Sequence, residues 1–118
     1  MALLGIAPGT QPQSIPTLFE NVSGKKVHTN NVEWLIDCGA SNHWTGTRSL
    51  LLNMKEVPAP IYVTLPDDRH GVAKQSGSVR LSNNIIIHNV LLIPSFNCNL
   101  LSVNKLCESL NCLVIFFP

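Results

Sequence analysis

Trp34-Leu35-Ile36-Asp37-Cys38-Gly39-Ala40-Ser41 runs three bulky apolar residues into one carboxylate and then into a tight Gly/Ala turn. The triplet reads as a buried strand, and Gly39 frees the backbone to turn sharply behind it. Asp37 is thereby presented at a strand end. Removing a carboxylate from water is costly unless it is hydrogen-bonded, paired or working, which makes Asp37 a candidate catalytic acid/base. The plainer reading is an Asp that caps a turn, its common fate before Gly. Two other chemistries can be assembled from nearby residues. Cys38 and His43 would supply a thiol nucleophile and a base, but no third group is evident to orient them, so structural roles fit them better. Cys38, His43, Cys98, Cys107 and Cys112 contain no C-x2-C pair, the usual core of a zinc site. No metal and no cofactor are expected.

The elements that would position Asp37 are mostly short strands. Ile61, Val63 and Leu65 alternate with Tyr62 and Thr64, a half-buried strand that stops at Pro66 before a turn through Asp67-Asp68. Val79 and Leu81 repeat the same period. Asn84 to Ile93 is nearly continuous in apolar residues, is interrupted at His88-Asn89 and is closed by Pro94, which predicts one bent strand or a hairpin. One helix is expected over 103–110. Val103, Leu106, Cys107 and Leu110 fall at i, i+3, i+4 and i+7 behind Ser102 as N-cap, and Asn111 suits the helix end. Leu113 to Phe117 then reads as a strand of large apolar residues that needs cover from a partner element or chain.

Residues 1–30 carry Pro8, Gly9, Pro12, Pro16 and Gly24 among Gln, Ser and Thr without sustained periodicity, and are read as a flexible linker. Residues 31–118 form the folded domain. A chain of 118 residues, 45% hydrophobic and 13% charged, has material for one core and little more. The net charge of +1 provides no basic face, so no nucleic-acid partner is expected. No apolar run approaches the roughly 20 residues of a membrane span, and Met1 to Ala7 lacks the charged start of a signal peptide. An intracellular, cytoplasmic setting is expected from this, with the four cysteines reduced and acting as small core residues.

The Asp37 segment resembles the D-[ST]-G-A signature of aspartic proteases, and W-L-I-D-C-G-A-S-N-H-W narrows the resemblance to the protease region of copia-type LTR retrotransposon polyproteins. Further blocks agree in order: Val63-Thr64-Leu65-Pro66-Asp67, Gly77-Ser78-Val79-Arg80-Leu81, Asn89-Val90-Leu91-Leu92-Ile93-Pro94-Ser95-Phe96, Asn99-Leu100-Leu101-Ser102-Val103 and the last strand. A lone D-x-G-A would be weak, whereas five ordered blocks over about three quarters of the chain are not. The resemblance implies a mostly β fold, a small closed β-barrel of the retropepsin-like acid protease type with one C-terminal helix. It places Cys38, Gly39 and Ala40 in the active-site loop and a flap over the substrate at Leu65 to Lys74, including Pro66, Asp67, Asp68 and Gly71. Gly71 would give that tip flexibility, and the family usually shows Gly where this chain has Asp68.

The resemblance also implies a mechanism. Asp37, Asp67 and Asp68 are the only aspartates, and no second D-x-G motif is present to complete a pair within one chain. The second Asp37 would come from another copy across a two-fold axis. Such a homodimer would be an endopeptidase acting on a polypeptide, its own polyprotein, within the retrotransposon particle of an active element. Cys38 departs from the Ser or Thr of the family, whose hydroxyl links the two loops. A thiol is a weaker hydrogen-bonding group, and the second reading is therefore a catalytically inactive, degenerate or domesticated remnant that serves as a folded interaction module.

Overall fold

The computed structural model describes residues 2–8, 17–23, 26–65, 67–110 and 112–117, with side chains described over 26–65 and 67–108. Ten strands are present among the described residues: β1 (Ala2–Pro8), β2 (Thr17–Ser23), β3 (Lys26–Thr29), β4 (Val32–Asp37), β5 (Trp44–Thr45), β6 (Leu52–Thr64), β7 (His70–Ser82), β8 (Ile85–Leu92), β9 (Asn99–Ser102) and β10 (Cys112–Phe117). A 3-10 turn spans Arg48–Leu50, and the helix α1 spans Val103–Leu110. The helix has the bounds its apolar spacing predicts. Ser102 caps it, its Oγ accepting the Lys105 amide at 3.2 Å.

The strands form one sheet in the order β10-β1-β2-β3-β4-β9-β5-β8-β7-β6. The expected mostly β fold with one C-terminal helix is present; among the described residues β6 and β10 do not pair, so hydrogen bonds do not close the sheet into a barrel. The sequence of β6 explains one open edge: Pro58 and Pro60 have no N–H to offer a further strand. Strand pairing also reaches into residues 1–30. β3 pairs with β4 from Lys26↔Leu35 to Thr29↔Val32, and Val27 is fully buried, so the folded unit already includes residues 26–29. Backbone pairing of β1 with β2 and β10 lies in the same segment that composition assigned to a linker.

The hairpins β6–β7 and β7–β8 join the longest strands of the sheet. Between Gly77↔Val90 and Val79↔Ile87 the β8 strand advances one residue more than β7. The extra residue falls at His88-Asn89, where Asn89 takes φ 57°, a bulge that bends one strand instead of ending it. Buried side chains fall into two clusters. Val27, Trp34, Ile36, Leu81, Ile87, Leu101 and Leu106 belong to the first, which joins β3, β4, β7, β8 and β9 to the helix. Trp44, Leu65, Ala73, Ile93, Phe96 and Leu100 belong to the second, which packs the end of the β6–β7 hairpin against β5 and the turn after β8. Within it Trp44 meets Phe96 edge to face, with ring centroids 4.9 Å apart.

Candidate active site

β4 runs parallel to β9 with Asp37 in register with Ser102, so the chain delivers the carboxylate beside the start of the helix. Asp37 is half-buried, and its Oδ1 accepts the Gly39 amide at 2.7 Å. The turn expected from the sequence is present. Gly39 does not sit in the left-handed region, however, and a Cβ there would meet only Asp37 Oδ1 at an ordinary 3.5 Å. The sharp bend therefore does not rest on positive-φ freedom at this glycine. Cys38 and Gly39 are exposed, and Ala40 is partly buried against the second cluster.

Residues 62 positions and more away brace this turn. Ser102 donates its hydroxyl to the Ala40 carbonyl at 2.6 Å, and Asn104 donates its Nδ2 to the Cys38 carbonyl at 3.0 Å. His43 completes the brace: its Nδ1 accepts the Ser102 amide at 2.9 Å, while its own carbonyl accepts the Leu91 amide at 3.0 Å. The ring is 1% exposed. Because Nδ1 accepts a hydrogen bond, the neutral ring carries its proton on Nε2, and Nε2 is buried without a partner. Burial, reinforced by the nearby Lys105 ammonium, pushes the His43 pKa down to about 4. One layer further out, Asn99 donates to the Glu33 carbonyl at 3.0 Å and hydrogen-bonds the Thr45 hydroxyl, tying β9 to β4 and β5. Of this set the sequence marks Ser102 as a cap and His43 as a structural residue, and assigns no role to Asn99 or Asn104. The signal for the others was a polar residue placed within an apolar stretch, which does not by itself name a partner.

A cleft of about 390 Å³ opens in front of Asp37. It is lined by the turn from Gly39 to Asn42, by Trp44 and Leu100, and by Tyr62 to Leu65 at the end of β6. Among the described residues Asp37 is the single carboxylate that lines it. Tyr62 is 81% exposed, a large aromatic group at the rim that periodicity identified only as the outward face of a strand.

The segment expected as a flap is the β6–β7 hairpin, whose turn runs from Leu65 to Arg69. Leu65 N donates to Arg69 O at 2.8 Å, and Asp68 N to Leu65 O at 2.9 Å. Pro66 lies outside the described residues. Asp67 accepts the Arg69 amide at 3.2 Å and its Nε at 2.8 Å, and the amide bond above all holds this carboxyl below its ordinary range. Asp68 has φ 67°, the left-handed conformation that favours glycine, which gives a physical reason for Gly at this position elsewhere in the family. Gly71 is not at the tip. It pairs with Val63 inside the hairpin, and a Cβ there would lie 2.4 Å from Ile93 Cγ2 and 2.8 Å from Phe96 Cζ. Its smallness permits close packing inside the hairpin, whereas the sequence reading gives this glycine flexibility at the flap tip. Thr64 Oγ1 and His70 Nδ1, 3.0 Å apart, close the last rung before the turn.

Cys38, Cys98 and Cys107 are free thiols, and burial raises the Cys98 pKa. The side chain of Cys112 lies outside the described residues. Among the described residues no three His, Cys, Asp or Glu side chains are grouped so as to hold a metal ion. No described helix is long and apolar enough to cross a membrane.

Comparison with known proteins agrees with this architecture. Residues 34–111 match the family described as "Pol polyprotein, beta-barrel domain". Over 98 residues, 80% of this chain, the sequence is 32% identical to the retrovirus-related Pol polyprotein from transposon RE1 of Arabidopsis thaliana. The chain spans only 6% of that relative's length. No solved structure matches. The matched span begins at Trp34, enters the Asp37 turn and runs past the helix that braces it, and by both comparisons this chain belongs to the β-barrel domain family of retrotransposon Pol polyproteins.

Proposed function

We propose that this chain is the aspartic endopeptidase domain of a copia-type polyprotein, with Asp37 as its catalytic residue and a second copy supplying the other half of the dyad. The observation that carries the reading is the placement of Asp37: a half-buried carboxylate at a strand end, on a braced turn, lining a cleft that the end of β6 also lines. That cleft has one carboxylate, and acid–base hydrolysis of a peptide by this route takes two. A two-fold pairing of identical turns provides them. Carboxyls about 3 Å apart cannot both ionise, so the pair shares one proton. The ionised member takes a proton from water as it attacks the scissile carbonyl, and the protonated member donates toward the carbonyl oxygen. No covalent intermediate forms. The substrate is an extended polypeptide, the polyprotein itself.

Cys38 favours a second reading, a folded module without activity. Its exposed thiol occupies the position from which a hydroxyl would link the two turns. The deciding experiment is cleavage of a mixed peptide library at mildly acidic pH by the native chain, Asp37→Asn and Cys38→Ser, at concentrations that span dimer formation. Activity that rises with the square of concentration at low occupancy and vanishes in Asp37→Asn supports the peptidase. Absence of cleavage in native chain and Cys38→Ser alike, both folded, supports the inactive module.

A further inference from the structure

We infer that His43 is the positioning residue of the Asp37 turn and an acid-operated release: when Nδ1 takes up a proton, the clamp between the turn and the helix start opens. The inference extends the peptidase reading for its consequence on activity, but the release itself rests on the geometry of the fold alone.

The acceptor at Nδ1 is what makes the clamp conditional. In the neutral ring Nδ1 receives the Ser102 amide at 2.9 Å. Protonation places an N–H where that lone pair was, so two donors face each other and the bond is lost. The same residue, Ser102, carries the hydroxyl that holds Ala40 and the oxygen that caps Lys105. Moving its backbone therefore loosens the turn and the first helical turn together. Among the described residues Nε2 is buried with no partner, so the Nδ1 contact to Ser102 is the ring's one hydrogen bond.

The groups around the ring leave the direction of the effect clear. From α1, Lys105 presents the charge that bears on it, opposing protonation. From β9 comes the Ser102 amide, and from β8 the Leu91 amide, which binds the His43 carbonyl. Asp37 and Cys38, the titratable residues of the braced turn, belong to the part that is released. Above the acid range the clamp is closed; on acidification it opens without any change in chain or ligand.

The test follows backbone-amide hydrogen-exchange protection factors in the native 118-residue chain by NMR from about pH 6 to about pH 3.5, together with the His43 ring signals. Protection factors divide out the intrinsic dependence of exchange on pH. Protection at Ser102 and Gly39 is expected to fall at least about tenfold with the midpoint of the His43 titration, as for one lost hydrogen bond, while Val79 and Ile87 keep theirs. His43→Asn retains an acceptor oxygen at the δ position and does not titrate, so its Ser102 protection should be flat over this range. Unchanged Ser102 protection across the His43 titration overturns the inference, as does loss at Ser102, Val79 and Ile87 in step, which is global unfolding. Neither readout needs catalysis. If peptidase activity proves absent, or survives Asp37→Asn, the peptidase reading fails while the clamp stands or falls on its own data. If the chain is active, its kcat should decline on the acid side with the His43 midpoint and do so less in His43→Asn.

Discussion

The Ser102 hydroxyl reaches the Ala40 carbonyl at 2.6 Å while its oxygen accepts the Lys105 amide at 3.2 Å, so one side chain both starts the helix and fastens the turn that carries Asp37. Ser102 and Ala40 are 62 apart in sequence. Removing the hydroxyl leaves a helix N-terminus uncapped and a carbonyl without its donor. Ser102→Ala should cost about 2 kcal/mol, read from urea unfolding, and Ser102→Thr appreciably less. Equal losses in the two variants would mean that the hydroxyl contributes little.

Asp37→Asn should leave the fold nearly intact. Asparagine presents the same Oδ1 to the Gly39 amide, and the group is only half-buried, so the change in unfolding free energy should stay within about 0.5 kcal/mol. Peptide cleavage should be abolished. A large loss of stability instead would identify Asp37 as a structural cap.

Acid should weaken the native chain through His43. Its folded-state pKa of about 4 lies below the ordinary histidine value of 6.5, so the unfolded chain binds the extra proton first. Stability from this group is complete above pH 6.5 and declines as pH falls toward 4, by up to about 3 kcal/mol. Urea unfolding at several pH values should show this decline in the native chain and its reduction in His43→Asn. Lys105→Met removes one cause of the depression and should raise the His43 midpoint.

Gly71→Ala should destabilise by about 1–3 kcal/mol, because the new methyl would enter the space of Ile93 Cγ2 and Phe96 Cζ, both on buried residues. Gly46→Ala should cost at least as much, since its Cβ would lie 1.7 Å from the Phe96 carbonyl oxygen and a backbone would have to move. Thermal unfolding checks both. A neutral Gly71→Ala would restore the view of this residue as a source of flexibility.

At the hairpin turn the ranking should invert. Asp68 already occupies φ 67°, so Asp68→Gly should be neutral or stabilising by about 0.5 kcal/mol, and Asp68→Val should cost more than about 1 kcal/mol. Equal stability of the Gly and Val variants would contradict the left-handed conformation.

What the sequence by itself determined is local. The spacing of Val103, Leu106, Cys107 and Leu110 behind Ser102 specifies a helix, because residues three and four apart share a face whatever the rest of the chain does. Alternation through Ile61, Val63 and Leu65 specifies strand for the same kind of reason, and the apolar triplet before Asp37 puts that carboxylate at a strand end. The order of these blocks also carried the family. Tertiary structure alone decided how they meet. His43 could be ranked no higher than a structural residue until Ser102, 59 positions on, was seen to donate to it. Gly71 reads as a source of flexibility at the flap tip because small size and flexibility are indistinguishable in one letter, and only the approach of Ile93 and Phe96 separates them. Sheet closure was beyond reach for a similar reason: whether β6 and β10 pair depends on accumulated twist and register over ten strands, which no local pattern encodes.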